Sequence, residues 1–241
     1  GSEMCIRDSR DSHRGDREID FRRAVASSSN VYFAKAIWDR YGSTGRKQEY
    51  SDFLHKELHL GQTVGLERLG ERKPSVTTDW KVPDPGVMLV KMSYGYRVRL
   101  APIQMITFYN AIANDGKAVS FNEVNSLASQ AGKALNLNIT KNETQLLSTE
   151  TAAQLKKLMR NNVKAQYGEY NYKGLHLCAK SGTAEVDKDT DHNTAWFVGF
   201  MDDADHPYAF VVVVEHGGSG SQTAGPIAGS VLRTLVDKES K

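Results

Sequence analysis

The chain has 241 residues, 39% of them hydrophobic and 25% charged, with a formal net charge of +2. That length suits one large domain or two small ones, and the composition is that of an ordinary globular fold. The near-neutral charge leaves no electrostatic footprint for nucleic acid. Two cysteines, Cys5 and Cys178, are too few for a disulfide framework, and no apolar run reaches the roughly 18–20 residues that cross a bilayer.

Residues 1–19 are almost continuously polar and read as a tag-like or non-native segment, so the domain proper is expected over 20–241. Arg14-Gly15-Asp16 resembles an adhesion tripeptide of a kind that recurs by chance. Apolar residues at helical spacing start at Phe21 and Val25, resume at Val31, Phe33, Ala36 and Ile37, and stop at Gly42. Between the two runs stand Ser28, Ser29 and Asn30. They either cap the second helix or form a short polar loop between two helices, and the loop explains the interruption better.

A further helix is expected over 48–58, ahead of Gly61. His55 and His59 would share one of its faces. Glu57 is not placed as a metalloprotease motif requires and no third ligand is near, so no metal is expected. A loop-rich stretch follows over 61–85, broken by Gly65, Gly70, Pro74 and Pro83. Pro102 opens the clearest helix and Gly116 ends it. Ser148 or Thr149 caps another, carried by Leu155, Leu158 and Met159. Three strands are expected over 175–187, 193–201 and 207–216, the last rich in β-branched residues, with Cys178 a buried free thiol in the first. The glycine-rich stretch 217–225 lacks phosphate-binding spacing and reads as a turn into a closing helix over 223–236. The fold class is α/β (α+β), ending in an antiparallel meander and a helix.

Two clusters carry chemistry. In the first strand, Lys180 precedes Ser181, Gly182 and Thr183. On an edge strand these offer a positive charge and two hydroxyls to a carboxylate. The glycine lets a peptide lie alongside as an added strand, and the next backbone N–H can face a developing oxyanion. The plain alternative is an exposed strand lysine. The second cluster is Ser28-Ser29-Asn30. Together, S-x-N and K-S-G-T resemble the motifs of serine transpeptidases and β-lactamases.

With "SSSNVYFAKA", "MSYGYRVRLAPIQMITFYNAIANDGK", "AKSGTAEV" and "AWFVGFM" in order, the chain resembles the transpeptidase domain of penicillin-binding proteins over roughly residues 20–238. That resemblance implies a β-lactamase/transpeptidase-like antiparallel sheet flanked by helices. It implies that Ser28 relays a proton, that Asn30 holds a peptide amide, and that Lys180 supplies positive charge near Ser28 and the substrate carboxylate. Ser181 and Thr183 would bind the substrate carboxylate, and the Thr183 N–H would lie in the oxyanion hole. The implied partners are a peptidoglycan stem peptide ending in D-Ala-D-Ala and the β-lactams, with no cofactor. The parent is expected on the outer face of the cytoplasmic membrane, anchored by an N-terminal helix and working in a cell-wall synthesis complex, while this chain alone is soluble.

The family nucleophile lies in S-x-x-K, and no serine here has a lysine three positions on. The expectation is a coding sequence that begins after the nucleophile-bearing helix, so that the upstream strands are missing and the chain is inactive as it stands. Its last strand would then be an exposed apolar edge prone to self-association. Three alternatives stay open: a non-catalytic binding module, a D,D-carboxypeptidase, and a serine β-lactamase. The last lacks an E-x-x-L-N, which "ETQLL" (143–147) matches only in part.

Overall fold

The computed structural model describes residues 19–66, 70–122, 126–135, 142–185 and 192–239. The tag-like segment, the adhesion-like tripeptide and Cys5 lie outside them. The helices are α1 (Phe21–Ser27), α2 (Asn30–Ile37), α3 (Lys47–Asp52), α4 (Pro85–Met92), α5 (Pro102–Ala113), α6 (Thr149–Asn162) and α7 (Gly225–Glu239). The break after α1 is a tight joint. Ser28 turns into the left-handed region at φ 53°, and the Ser29 hydroxyl accepts from the Tyr32 N–H at 3.2 Å to start α2. Both readings of this triplet therefore hold, one for each serine.

Three long strands form one antiparallel sheet in the order β7 (Leu177–Ala184), β8 (Thr194–Met201), β9 (Ala209–Val214). The first strand starts two residues later than expected and residues 186–187 of its expected span lie outside the described residues, while β8 and β9 are shorter than expected by one and four residues. The strands alternate between two cores. Leu177, Ala179, Phe197 and Phe210 pack with Ala228 and Leu232 of α7. Cys178 and Phe200 face Ile112 of α5 and Met159 of α6. The sheet is thus flanked by helices on both faces, and Cys178 is a fully buried free thiol. Burial pushes that thiol up to about 12, which removes it from nucleophilic chemistry at neutral pH.

A third core lies among the helices, where Tyr41, Tyr50, Leu54, Leu89 and Met92 join α3 to α4. Helix α4 falls after the loop-rich stretch and its pattern is too short to stand out. The Asp84 carboxylate accepts from the Val87 N–H at 3.0 Å and Pro85 opens the first turn, as N-terminal signals do. Six short strands make three two-stranded ribbons: β1 (Ser75–Val76) with β2 (Val98–Arg99), β3 (Lys117–Val119) with β6 (Glu143–Gln145), and β4 (Leu127–Ala128) with β5 (Ala134–Leu135). His55 and His59 do not share a helix face. The helical turn ends at Glu57 and His59 sits at φ 56°.

Candidate active site

Strand β7 is one edge of the sheet, and its C-terminal half forms a wall of a cleft of about 540 Å³. Lys180 and Gly182 share one face of β7 with Trp196 and Val198 of β8. Opposite them stand Tyr94, Tyr96 and helix α5. The Lys180 ammonium reaches the hydroxyl of Ser28, 152 residues away in sequence, and also donates to the Ser181 carbonyl at 2.8 Å. Burial without a carboxylate partner lowers its pKa to about 8.

The fold thus brings both sequence clusters together. Ser28 sits at the α1–α2 joint facing Lys180, and Asn30 opens α2 one residue beyond the buried Ser29. The amide group of Asn30 has no hydrogen-bond partner among the described residues. Ser181 and Thr183 project from the face opposite Lys180, since neighbours on a strand alternate. The Tyr167 hydroxyl donates to Ser181 Oγ at 3.1 Å and accepts the Ser181 N–H at 2.8 Å. Thr183 Oγ1 accepts a long bond from the Gly220 N–H at 3.4 Å.

At Gly182 the chain's own packing does not require a glycine. A Cβ there would meet only the Trp196 Cβ at 3.4 Å, an ordinary contact. Close backbone approach does impose a glycine at Gly220, whose Cβ would meet the Gly182 and Trp196 carbonyl oxygens at 2.3 and 2.4 Å. The glycine-rich stretch 217–225 is therefore a turn seated on the β7–β8 ladder, leading into α7.

Several site residues have no motif. Tyr167 follows α6, and its phenol is held protonated chiefly by burial. Asn162 is fully buried and donates to the Ala179 carbonyl at 3.2 Å. A polar residue continuing the apolar series Leu155, Met159 was the available signal. Tyr96, which lines the cleft, donates to Glu185 at 2.7 Å, and that hydrogen bond raises its phenol to about 12. Glu143 of the partial "ETQLL" match is ion-paired with Lys117 across an exposed ribbon. Among the described residues no group of three metal-ligating side chains occurs.

A helix-flanked antiparallel sheet, whose edge-strand lysine reaches a serine at a helix joint, has the layout of the serine acyl-transfer enzymes that K-S-G-T resembles. Residues 2–237 match the family model described as the penicillin binding protein transpeptidase domain, and the chain belongs to that family. It is 32% identical over 149 residues to the peptidoglycan D,D-transpeptidase PbpA of Mycolicibacterium smegmatis, which covers 60% of this chain and 30% of that protein. It is 25% identical over 225 residues to PbpA of Mycobacterium tuberculosis, covering 91% and 43%. The structure superposes on penicillin-binding protein A of M. tuberculosis, solved as a ceftriaxone acyl-enzyme, with a TM-score of 0.71 at 25% identity, covering 91% of this chain and 49% of that one. The D,D-transpeptidase domain from Eggerthella lenta gives 0.72 at 21% identity, covering 92% and 54%, a likeness of fold. The chain spans less than half the length of these two curated relatives, and none of its described helices is long and apolar enough to cross a membrane.

Proposed function

We propose that the cleft holds the D-Ala-D-Ala end of a peptidoglycan stem peptide, or a β-lactam in its place, as a short strand added to β7. The whole protein would cross-link stems through a serine acyl-enzyme. In that reaction a serine attacks the carbonyl between the two D-alanines, the terminal D-alanine leaves, and an amine of a neighbouring stem takes the acyl group. The observation that carries this reading is the Lys180–Ser28 contact beside the edge strand β7.

Each residue then has a task. Lys180 supplies positive charge near Ser28 and the substrate carboxylate, while the Ser28 hydroxyl relays a proton from the nucleophile to the leaving amine. Asn30, with its amide group uncommitted, takes a peptide amide. Ser181 and Thr183 bind the terminal carboxylate, and the Thr183 N–H stabilises the oxyanion. Such a protein works outside the cytoplasmic membrane, where its substrate lies.

This sequence has no S-x-x-K serine, which favours a second reading for the chain as it stands: a cleft that binds without being acylated. Intact mass after incubation with benzylpenicillin separates the two. No adduct, together with saturable binding of the drug, is the expected result. A stoichiometric adduct on a serine shows an activated nucleophile and removes the second reading. Absence of both adduct and binding removes the β-lactam assignment altogether.

A further inference from the structure

The outward side of β7 is not uniformly open. In an antiparallel ladder, alternate residues turn both backbone groups away from the neighbouring strand, and on β7 those are Leu177, Ala179, Ser181 and Thr183. The Leu177 carbonyl accepts from Arg160 at 3.3 Å and the Ala179 carbonyl from Asn162 at 3.2 Å. The Ser181 N–H donates to the Tyr167 hydroxyl at 2.8 Å, and the Ser181 carbonyl is taken by Lys180 at 2.8 Å. The Thr183 N–H has no such partner among the described residues. Beyond Thr183 the edge leads to Glu185, whose side chain, not its backbone, accepts from Tyr96. The usable edge is therefore a window from Thr183 to Glu185.

We infer that Arg160, Asn162 and Tyr167 act as a side-chain strand that blocks β7 up to Ser181, so that the cleft accepts the carboxyl terminus of a peptide and rejects a chain that runs through. A strand added antiparallel to β7 enters near Glu185 and runs toward Ser181. There it meets a blocked ladder, so it must end. The groups at that point suit a carboxylate: Lys180 brings positive charge, and Ser181 Oγ, already accepting from Tyr167, keeps its own proton to donate. Arg160 is itself fixed by a two-pronged ion pair with Glu169, so the block is stiff. Tyr167 is a positioning residue, for it touches the strand and not the ligand.

This inference rests on the peptide reading of the cleft, and the test separates the two. Residue-resolved amide exchange is followed on the full chain, with a synthetic peptide ending in D-Ala-D-Ala and with the same peptide extended past that end by an amidated tail. In the unmodified chain without ligand, the Ser181 amide should exchange slowly and the Thr183 amide fast. The terminal peptide should slow Thr183, and the extended peptide should bind at least about tenfold more weakly. Tyr167→Phe keeps the ring against Phe197 at 5.2 Å but loses the hydroxyl. It should speed Ser181 exchange about tenfold or more, leave the core amides of Cys178 and Phe200 unchanged, and narrow the gap between the peptides. Equal Ser181 and Thr183 rates in the unmodified chain overturn the block, a reading that needs no variant. An extended peptide that binds as well as the terminal one overturns the terminus selection. If neither peptide slows Thr183, the peptide reading itself fails.

Discussion

At the scale of single residues, Lys180 sets the chemistry and also burdens the fold. Folded, it gives up its proton near pH 8, against 10.5 for the free side chain. Between those values the unfolded chain binds the extra proton, so stability rises with pH across that window. Below about pH 8 both states are protonated and the burial penalty is fully present. We expect Lys180→Met to raise stability at pH 7 by about 1–2 kcal/mol and to abolish ligand binding. Its advantage over the unmodified chain should shrink toward pH 10.5. Paired thermal melts at the two pH values check this, and an advantage that does not change with pH would assign the effect to packing instead. Lys180 was legible because K-S-G-T is a motif. Tyr167 and Asn162 were not, because their roles depend on where a helix end meets a strand edge, which no spacing along the chain encodes.

At the scale of elements, the long segments follow their patterns. Helix α5 runs from Pro102 as its proline and glycine marks predict, α6 starts at a Ser148 hydroxyl that accepts from the Thr151 N–H, and the three strands pair in chain order. Helix α4 and the ribbons were missed for a common reason. The ribbon strands have only two or three residues each, and α4 has eight in a loop-rich context, so hydrophobic period has no room to appear. The glycine-rich turn before α7 gives the sharpest test at this scale. Gly220→Ala drives a methyl into two carbonyl oxygens of the ladder and should lower stability by about 2–4 kcal/mol. Gly182→Ala makes only an ordinary contact, so it should stay within about 1 kcal/mol of the parent while weakening peptide binding at the cleft wall. Chemical denaturation compares them, and similar midpoints for the two variants would contradict the assigned close approach.

At the scale of the whole molecule, the sheet among the described residues has three long strands, with β9 as its second edge. Val211, Val212, Val213 and Val214 are only half-buried. On α7, which packs on β9, Ile227 and Val231 are 44% and 53% exposed. An apolar edge of this kind pairs with another chain unless something covers it. We expect concentration-dependent self-association in analytical ultracentrifugation, reversed by Val213→Lys; a monomer at all concentrations would count against an open edge. The antiparallel sheet between helices was legible from the resemblance, whereas the blocked edge of β7 emerged only from the packing of α6 against it.

The Lys180–Ser28 contact has a consequence for how the protein comes into being. It joins residues 152 positions apart, whereas the β7–β8–β9 meander is built from near neighbours in sequence. Closing so long a loop carries an entropy cost that grows with its length, and distant contacts of this kind form slowly. On that ground we expect the site to be among the last features to assemble. A ribosome must have delivered Lys180, three-quarters of the way along this sequence, before Ser28 can meet its partner.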